Sequence, residues 1–579
     1  MKTEKWKQSA DHFINNEKEF HLGFLVTETS HPYTKNLDKV IKSSTADGIR
    51  QLLKVDSDIA EVFPGCIRTI ETEKLQKTIT SSIKNGRRII FSGCGSTGRL
   101  AVLLESLWRK GCILLADKLE SGKDTSSTAD LLRKSAAGVR GIITGGDRAL
   151  IKSVENFEDF QVFGRQQVKE LHLSEGDVFI AVSEGGETSS VIGSAHEALE
   201  KGCTTFFVFN NPETILRNKI KRSRILIETP GLTVIDITTG PMAVSGSTRM
   251  QATTMELLYL GSILETALID FLKRNSKIPV YKDFELAEQG DYPKAFNSLL
   301  KSFERIDNIE NIASIIELQE REYNNGKTVL YAAVDFLLDI FTDTTEQTPT
   351  FSLPPFRSTY APDSPAPWAA ALHPVKGTKE SWLEMLGREP AGLSWDQNLY
   401  KKLNTPDIAA NPPKLDRDEI YSYKIGREGF NLYKKEASTL INIIFPAVSK
   451  AEFPDPSSIK SMKHVYNFVV TPEGKSWAGE YTSDFEVILS LPSSPLQLFS
   501  HIAAKILFNT ISTGTMARMG RIKGNWMIEV TPSNKKLIDR SIRIISDLKS
   551  VSYRAAAYLV FKEIERKPED LSSLVARLL

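Results

Sequence analysis

The chain has 579 residues, with 73 Lys plus Arg against 72 Asp plus Glu, so its formal net charge is +1. This balance argues against nucleic acid and an anionic membrane surface as partners. No stretch approaches the roughly 18 apolar residues needed to span a bilayer, and the four cysteines lack zinc or redox spacing. We therefore expect a cytoplasmic protein with reduced thiols, no metal and no cofactor.

The first half of the chain predicts an α/β domain. Apolar residues at helical spacing cover 46–59 and 71–84, and Asn85-Gly86 ends the second helix. Short apolar runs between segments long enough for helices then predict six strands, at 88–92, 112–116, 141–144, 177–183, 204–209 and 232–238. This alternation predicts a mainly parallel sheet with helices on both faces, and ligands bind such sheets at the carboxyl ends of the strands.

The second half repeats this plan. A helical pattern at 309–323, the stop Asn324-Asn325-Gly326 and an apolar run at 327–334 have the same order as the elements around Asn85. Further runs predict strands at 464–470 and 485–491 and a helix at 496–510. The proline-rich segment 349–374 is unsuited to a central strand and predicts loops. From residue 533 onward the spacing predicts a helical tail that could cap a cleft between the domains.

Residues 91–100 (FSGCGSTGRL) form a small hydroxylated loop between a strand and a helix. Ser96, Thr97 and the backbone N–H groups of a helix start can surround a phosphate oxygen. The glycines also satisfy the dinucleotide fingerprint, with Asp117 at the distance of a ribose-binding acid, so a nucleotide ligand stays open at this point. A P-loop is excluded for residues 91–100 because this loop has no Gly-Lys followed by Ser or Thr, and a purely structural turn is equally typical of such a loop.

A second loop of this kind follows the strand at 177–183 and leads into a helix. Its candidate ligand-binding residues are Ser183, Glu184, Gly185 and Thr188. Ser and Thr are also favoured at helix starts for reasons unrelated to ligands. Two such loops in one domain nevertheless favour a shared anion or sugar-phosphate site.

Two further groups have a functional and a structural interpretation. Glu158 and Asp159 can form a solvated helix face, or a carboxylate can accept hydrogen bonds from sugar hydroxyls or act as an acid or base. Ser247 and Arg249 precede a helix, where the arginine can bind phosphate as a planar fork or pair with a neighbour such as Glu256 on the surface.

The motifs GCGSTGR, GGDRA with the acidic pair after it, and GPMAVSGSTRM occur in the order seen in the sugar isomerase (SIS) domain family. They resemble the branch shared by glucokinase regulatory protein and N-acetylmuramic acid 6-phosphate etherase. The stretches TETSHPYTKNLD at 27–38 and KILFNTISTG at 505–514 strengthen this resemblance, which is distinctive over 24–265 and 500–550. The resemblance also argues against the dinucleotide interpretation.

The etherase is similar to one SIS unit acting as a dimer, whereas the regulatory protein has two units in one chain beneath a helical lid. The length and the second α/β pattern resemble the latter. The resemblance implies a helical or extended segment at 1–60, SIS-type domains at 61–280 and 281–515, the second of them divergent, and a helical lid at 516–579.

The resemblance also implies a sugar phosphate held between the two domains. Ser96 and Thr97 would contact the phosphate or sugar, Glu158 the hydroxyls, and residues 183–185 would surround the ligand. From the second half, Lys505 rests on a clear local motif and Glu346 on a looser one.

Two departures from the family bear on activity. The etherase has a catalytic glutamate eight residues after the motif arginine, where this chain has Leu107, which cannot transfer a proton. Glu187 stands where the family has an arginine. We therefore expect a regulatory or sensor protein that binds a hexose phosphate or an N-acetylated derivative. The alternative is an etherase-like lyase or phosphosugar isomerase with Glu158 as acid or base, and family analogy alone suggests a sugar kinase as a partner.

Overall fold

The computed structural model describes residues 5–154, 157–286, 290–445, 462–475, 482–566, 571 and 573–579. In this part of the chain, each half contributes one five-stranded parallel sheet with helices packed around it. This architecture confirms the expected α/β class with two sheet-containing domains. None of the described helices is both long and apolar enough to cross a bilayer.

The first sheet has the strand order β2-β1-β3-β4-β5, and all neighbouring strands are parallel. Its strands are β1 (Ile89–Gly93), β2 (Arg140–Ile143), β3 (Val178–Ser183), β4 (Thr204–Phe209) and β5 (Thr233–Asp236). Each of them coincides closely with one of the predicted runs. Because the strand order reverses beside β1, the loops after β1 and β3 open into the same crevice.

The predicted strand at 112–116 is wrong, because this segment lies inside a long helix, Gly95–Ser121. Within it, Cys112, Leu115 and Ala116 are fully buried, whereas Ile113 and Leu114 are each 39% exposed. This spacing marks one face of a helix rather than a strand. A short apolar run does not by itself distinguish a strand from part of a buried helix.

The second sheet has the order β10-β9-β8-β6-β7 and is also parallel throughout. Its strands are β6 (Thr328–Ala333), β7 (Ala369–Leu372), β8 (Ala437–Ile444), β9 (His464–Pro472) and β10 (Phe485–Leu489). Read from β7, this order repeats that of the first sheet strand for strand. The sequence analysis missed β7 and β8, and β7 lies in the proline-rich segment predicted as loops, where it forms an edge of the sheet.

Helices of the first half precede, connect and follow the strands. They are α1 (Lys5–Asn16), α2 (Leu37–Ser43), α3 (Thr45–Lys54), α4 (Ser57–Cys66), α5 (Ile70–Asn85), α6 (Gly95–Ser121), α7 (Thr128–Gly138), α8 (Gln161–Glu170), α9 (Ser189–Glu200), α10 (Glu213–Lys219), α11 (Lys221–Ile227) and α12 (Gln251–Asn275). Gly86 ends α5 in the left-handed region at φ +62°, as its Asn-Gly stop predicts.

Helices of the second half complete the chain. They are α13 (Tyr292–Phe303), α14 (Ile306–Asn324), α15 (Leu337–Phe351), α16 (Thr378–Leu386), α17 (Gln397–Lys402), α18 (Pro406–Ala410), α19 (Arg417–Ser422), α20 (Glu428–Leu432), α21 (Leu498–Arg518), α22 (Lys535–Lys549), α23 (Tyr553–Arg566) and α24 (Leu574–Leu578). A two-stranded antiparallel ribbon, β11 (Ile522–Lys523) and β12 (Trp526–Met527), separates α21 from α22.

Helices α6, α12, α15 and α21 pack together between the two sheets. They share one continuous hydrophobic core with residues of both sheets. Large parts of α12 and α21 are buried because they contact other elements on several sides. The two domains are therefore joined by helices rather than by a flexible linker.

The C-terminal helices α22 and α23 form the predicted helical tail and cover one end of the crevice at β1. The side chain of Asn534 caps α22 by accepting a hydrogen bond from the Leu537 N–H. Two arginines of α22, Arg540 and Arg543, form ion pairs with the buried carboxylate of Glu28. These contacts hold the lid, defined here as α22 and α23, against the N-terminal segment.

Candidate functional site

The loop after β1 is shaped by its glycines and by a threonine cap. A Cβ atom on Gly93 would lie 2.3 Å from the carbonyl of Thr97, and Gly95 has φ +55°. The Thr97 hydroxyl accepts a hydrogen bond from the Cys94 N–H at 3.1 Å and donates to the Cys94 carbonyl at 2.8 Å. Thr97 thus holds the loop at the start of α6. The half-buried Ser96 is the hydroxyl-bearing residue of this loop that lines the crevice.

The acid suggested by the dinucleotide fingerprint does not follow a strand. Asp117 lies near the end of α6, and its carboxylate pairs with Arg133 on the surface at 2.7 Å. In a dinucleotide-binding fold, the ribose acid ends the second strand of the βαβ unit. The structure thus gives no support to the nucleotide interpretation of this loop.

The loop after β3 is organised in a similar way. Ser183 is fully buried and donates a hydrogen bond to the Thr188 hydroxyl at 3.1 Å. The carbonyl of Gly185 accepts from the Asn211 side chain at 3.3 Å. These contacts fix the loop so that Glu184 and Thr188 line the crevice.

A cavity of about 170 Å³ opens between these two loops, the loop before α12, helix α15 and the lid. Seven of the predicted site residues line it: Ser96, Glu158, Glu184, Thr188, Ser247, Arg249 and Glu346. A smaller adjoining cavity of about 40 Å³ is lined by Lys505 together with Ser96 and Glu346. The structure therefore brings residues of both halves together, whereas Thr97, Ser183 and Gly185 support the loops from behind.

Glu184, which lines the cavity, and two buried carboxyl groups that interact electrostatically with Lys505 have raised pKa values. Burial raises the pKa of Glu184 to about 7, and one of its oxygens has no hydrogen-bond partner. Burial also raises the pKa of Glu256 well above its usual range, and both its oxygens are unpartnered. Asp56 has its pKa raised by burial to about 7. The site therefore carries less negative charge than its residue types suggest.

Lys505 brings a positive charge from the second half to the adjoining cavity. Its ammonium donates a hydrogen bond to the backbone carbonyl of Arg249 at 2.8 Å. Burial lowers the pKa of Lys505, and the neighbouring carboxylate of Glu346 opposes that effect. A lysine enclosed in this way gains from any anion that enters the cavity.

Arg249 has a different partner from the one considered in the sequence analysis. Its guanidinium donates to Asp343 on α15 at 2.8 Å and to Thr513 on α21 at 2.9 Å. Glu256 is fully buried rather than on the surface. The fork of Arg249 thus ties the two halves of the chain together at the cavity wall.

The lid contributes residues that the sequence analysis did not single out. Lys536 donates hydrogen bonds to Glu158 at 3.4 Å and to Glu187 at 3.0 Å, and both Lys536 and Arg540 line the cavity. Helical spacing predicted the tail, yet it carries no information about which charges meet across the fold. The signal that the sequence did offer for a charged contact here was the pair of consecutive lysines, Lys535 and Lys536, at the start of α22.

Glu187, which replaces a family arginine, is neutralised inside the protein. It pairs with Arg222 at 2.5 Å as well as with Lys536. Burial opposes its charge, but these two cations lower the pKa of Glu187 to about 2. Its negative charge is therefore compensated before any ligand enters.

Leu107 does not lie at this cavity. It lines a separate cavity, of about 310 Å³, against the loop after β6. Glu346 has the complementary position, because it lies on α15 of the second domain and faces Ser96 of the first. Each long helix therefore contributes to a cavity at the loop of the opposite domain.

Taken together, the fold and the cavity define a double-sheet α/β protein with a charge-balanced polar site at the strand ends of its first sheet. The family model for the glucokinase regulatory protein N-terminal SIS domain matches residues 71–199. N-acetylmuramic acid 6-phosphate etherases from Salmonella agona (strain SL483) and Salmonella typhi are each 30% identical over 253 residues, which are 44% of this chain and 73% of the relative.

The chain belongs to the SIS-domain family, in the branch that contains glucokinase regulatory protein and N-acetylmuramic acid 6-phosphate etherase. Among solved structures, the C-terminal domain of glucosamine-fructose-6-phosphate aminotransferase from Francisella tularensis is similar with a TM-score of 0.40 and 10% identity. That similarity covers 81% of this chain and 95% of the other.

Proposed function

We propose that the protein binds a sugar phosphate, a hexose phosphate or an N-acetylated derivative, in the cavity beneath the lid. The observation that carries the proposal is the convergence of Ser96 and Glu158 from the first half with Glu346 and Lys505 from the second. A hydroxyl, two carboxylates and an ammonium are the groups that an esterified carbohydrate requires.

Each group has a role that its surroundings favour. Ser96 stands at the N-terminus of α6, where unpaired N–H groups and the helix dipole attract a phosphate. Lys505 supplies a positive charge beside it, and the carboxylates of Glu158 and Glu346 accept hydrogen bonds from sugar hydroxyls. The near-neutral Glu184 lowers the electrostatic cost of bringing an anion close.

We further propose that binding is used for sensing. The lid reaches this cavity through Lys536, whose partner Glu158 is also a proposed sugar ligand. A ligand that binds Glu158 competes with the lid for the same carboxylate. Occupancy then shifts the lid between states in proportion to the ligand's differential affinity for them. A sugar kinase as the partner that reads this change rests on family analogy alone.

The second candidate is an enzyme of the etherase type, and two observations favour it. The curated relatives at 30% identity are named etherases. The position of Glu346 also weakens the objection raised by Leu107, because a carboxylate from the opposite domain lies at the first loop. A lyase needs one group that removes a proton from carbon and one that protonates the leaving oxygen, and Glu158, Glu184 and Glu346 are the candidates.

Calorimetric titration of the full chain with hexose phosphates and N-acetylmuramic acid 6-phosphate tests the binding site. Ser96→Ala and Lys505→Ala are expected to weaken binding about tenfold or more. The exposed Lys84→Ala serves as a matched control and is expected to bind as the parent does. Equal affinity in all four proteins would overturn the site assignment.

Turnover separates the two candidates. The same compounds are incubated with the protein, and products are followed by mass spectrometry. Binding without any product supports the sensor. Product formation that is lost in Glu158→Gln and Glu346→Gln, while binding is largely retained, supports the enzyme.

A further inference from the structure

A second cavity, larger than the one described above, also borders α6. A space of about 310 Å³ lies at the carboxyl end of β6, between the loop 334–338 and the later turns of α6. Its volume falls within the range of about 300–1,000 Å³ that is typical of small-molecule sites. Because the two sheets share one strand order, this cavity is the counterpart of the first site in the second domain.

The chemistry of its loop is unlike that of the first site. Phe336 adopts φ +55°, the same left-handed conformation as Gly95 in the loop after β1. Asp335 stands beside it at the start of α15, where the first loop has small and hydroxylated residues. A bulky ring and an added negative charge both oppose a phosphate at this helix start.

Two carboxylates of the cavity are held by imidazoles. Asp339 lies 2.9 Å from Nδ1 of His501. Glu384 lies 3.0 Å from Nε2 of His373, whose Nδ1 accepts N–H groups from the backbone of Val375 and Lys376. The proton of His373 is therefore on Nε2, facing the carboxylate, so this side chain is fixed in orientation.

The remaining wall combines one cation with apolar side chains. Lys110 is accessible to solvent within the cavity, and its ammonium is the only lysine or arginine charge among the lining residues described. Leu103, Leu107, Leu114 and Leu337 supply an apolar surface. The lining holds three carboxylates against this one ammonium, and Lys376, outside the lining, pairs with one of them, Glu384, at 2.7 Å. The remaining negative charge disfavours a dianion, whereas oriented carboxylates beside an apolar wall suit hydroxyl groups on a carbon frame.

We propose that this cavity is a second ligand site, for a neutral polyhydroxylated molecule such as an unphosphorylated monosaccharide or a polyol. The carboxylates of Asp339 and Glu384 accept hydrogen bonds from its hydroxyls, and Lys110 donates to a ring or hydroxyl oxygen. The leucines pack against its C–H face. Since the small cavity beside Lys505 shares Leu103 and Asp339 with this one, the two sites are neighbours.

The test uses the full chain with neutral hexoses, hexitols and N-acetylhexosamines, each beside its 6-phosphate, at up to roughly 10 mM. Saturation-transfer NMR detects contact, and calorimetry gives the affinity. Leu107→Trp fills the cavity and Lys110→Ala removes its cation, so each is expected to weaken a neutral ligand about tenfold or more. Thermal unfolding identifies a variant that fails to fold.

Two controls locate the binding. Lys118 lies on the same helix, about one turn beyond Leu114, which lines the cavity, and Lys118→Ala is expected to leave neutral-ligand affinity unchanged. Lys505→Ala is expected to weaken sugar phosphates only, so failure of the first site does not imitate failure of the second.

Three results would overturn the proposal. The first is the absence of saturable binding by every neutral compound. The second is a neutral ligand weakened by Lys505→Ala but indifferent to Leu107→Trp and Lys110→Ala, which would place it in the first site. The third is a phosphate or amine requirement at the second cavity.

Discussion

Nζ of Lys536 lies 3.4 Å from Oε1 of Glu158, which joins the lid to the rim of the candidate site. Lys536 also pairs with Glu187 at 3.0 Å, and Glu187 is almost completely buried. Burial acts against the charge of Lys536, yet these carboxylates raise its pKa above the usual range. The lid is therefore held at the site by a charge pair with little access to water.

Lys536→Met keeps much of the side-chain volume and removes the charge. We expect it to destabilise the folded protein by about 2 kcal/mol and to expose α22 and α23 to proteolysis, because Glu187 loses one of its two cations. Thermal unfolding and limited proteolysis measure the two effects.

The neighbouring residue supplies the control. Lys535 pairs with Glu17 at 2.8 Å but is 46% exposed. Lys535→Met should cost less than about 1 kcal/mol. If both substitutions had equal effects, the lid contact at Lys536 would not be energetically distinct from a surface pair.

Arg249 is expected to be a structural link rather than a phosphate ligand. Its buried guanidinium pairs with Asp343, and burial raises the pKa of Asp343 against the pull of that arginine. Arg249→Met leaves this carboxyl without its cation, so we expect a loss of about 3 kcal/mol in thermal or urea unfolding. Ligand affinity in the folded fraction should change much less than in Lys505→Ala.

Glu256→Gln is the companion substitution. Since burial keeps Glu256 in its protonated form, an amide of the same shape should leave stability nearly unchanged. A large loss would mean that Glu256 is ionised and paired, as the surface pairing with Arg249 required.

The strands and the loops at their ends were predictable because their signals are local. Short β-branched runs, Asn-Gly stops and hydroxyl-rich turns each depend on a few consecutive residues. The β7 strand was missed because its AAAL sequence has weak strand propensity and follows several prolines. The Cys112 run was misassigned because strand and buried helix are indistinguishable over five apolar residues.

The site was predictable in its loops and not in its charge pairs. Ser96 and Lys505 stand in recognisable motifs, so the sequence pointed to both. The partners of Lys536 lie 349 and 378 residues away along the chain, and no local pattern encodes such contacts. The sequence analysis left Arg249 with a phosphate or a neighbour such as Glu256 as its partner, because no local pattern shows that Asp343 of the other domain is near.

Glu184 predicts a pH dependence. Its folded pKa is about 7 against an ordinary value of 4.5, so the folded state holds a proton that the unfolded chain releases between these values. The contribution of neutral Glu184 is fully present below pH 4.5 and is lost as the pH rises to about 7. Relative to Glu184→Gln, the parent should lose unfolding free energy across this window and level off above it.

The same group should affect ligand binding. Above pH 7 an ionised Glu184 would repel the phosphate of the proposed ligand, so the parent is expected to lose affinity there. Glu184→Gln should not share that loss, and the comparison cancels the titration of the phosphate itself. Identical affinity profiles for the two proteins between pH 6 and pH 8, roughly one unit on either side of the folded pKa, would place Glu184 away from the ligand.

For substitutions at Leu107 and Glu346, the structure leads to expectations opposite to those drawn from the sequence alone. By sequence, Leu107→Glu restores the missing etherase carboxylate and should introduce activity. In the structure, Leu107 faces the loop after β6, and Glu346 is the carboxylate that faces Ser96.

We therefore expect Leu107→Glu to leave sugar-phosphate affinity and any turnover at the parent level. Glu346→Gln should weaken binding or abolish turnover, because it removes the acceptor that the second domain contributes. Calorimetry and product analysis on both variants decide between the two assignments, with thermal unfolding as the check that each protein is folded. Activity gained in Leu107→Glu and unchanged in Glu346→Gln would show that the first domain's helix, and not that of the opposite domain, completes the site.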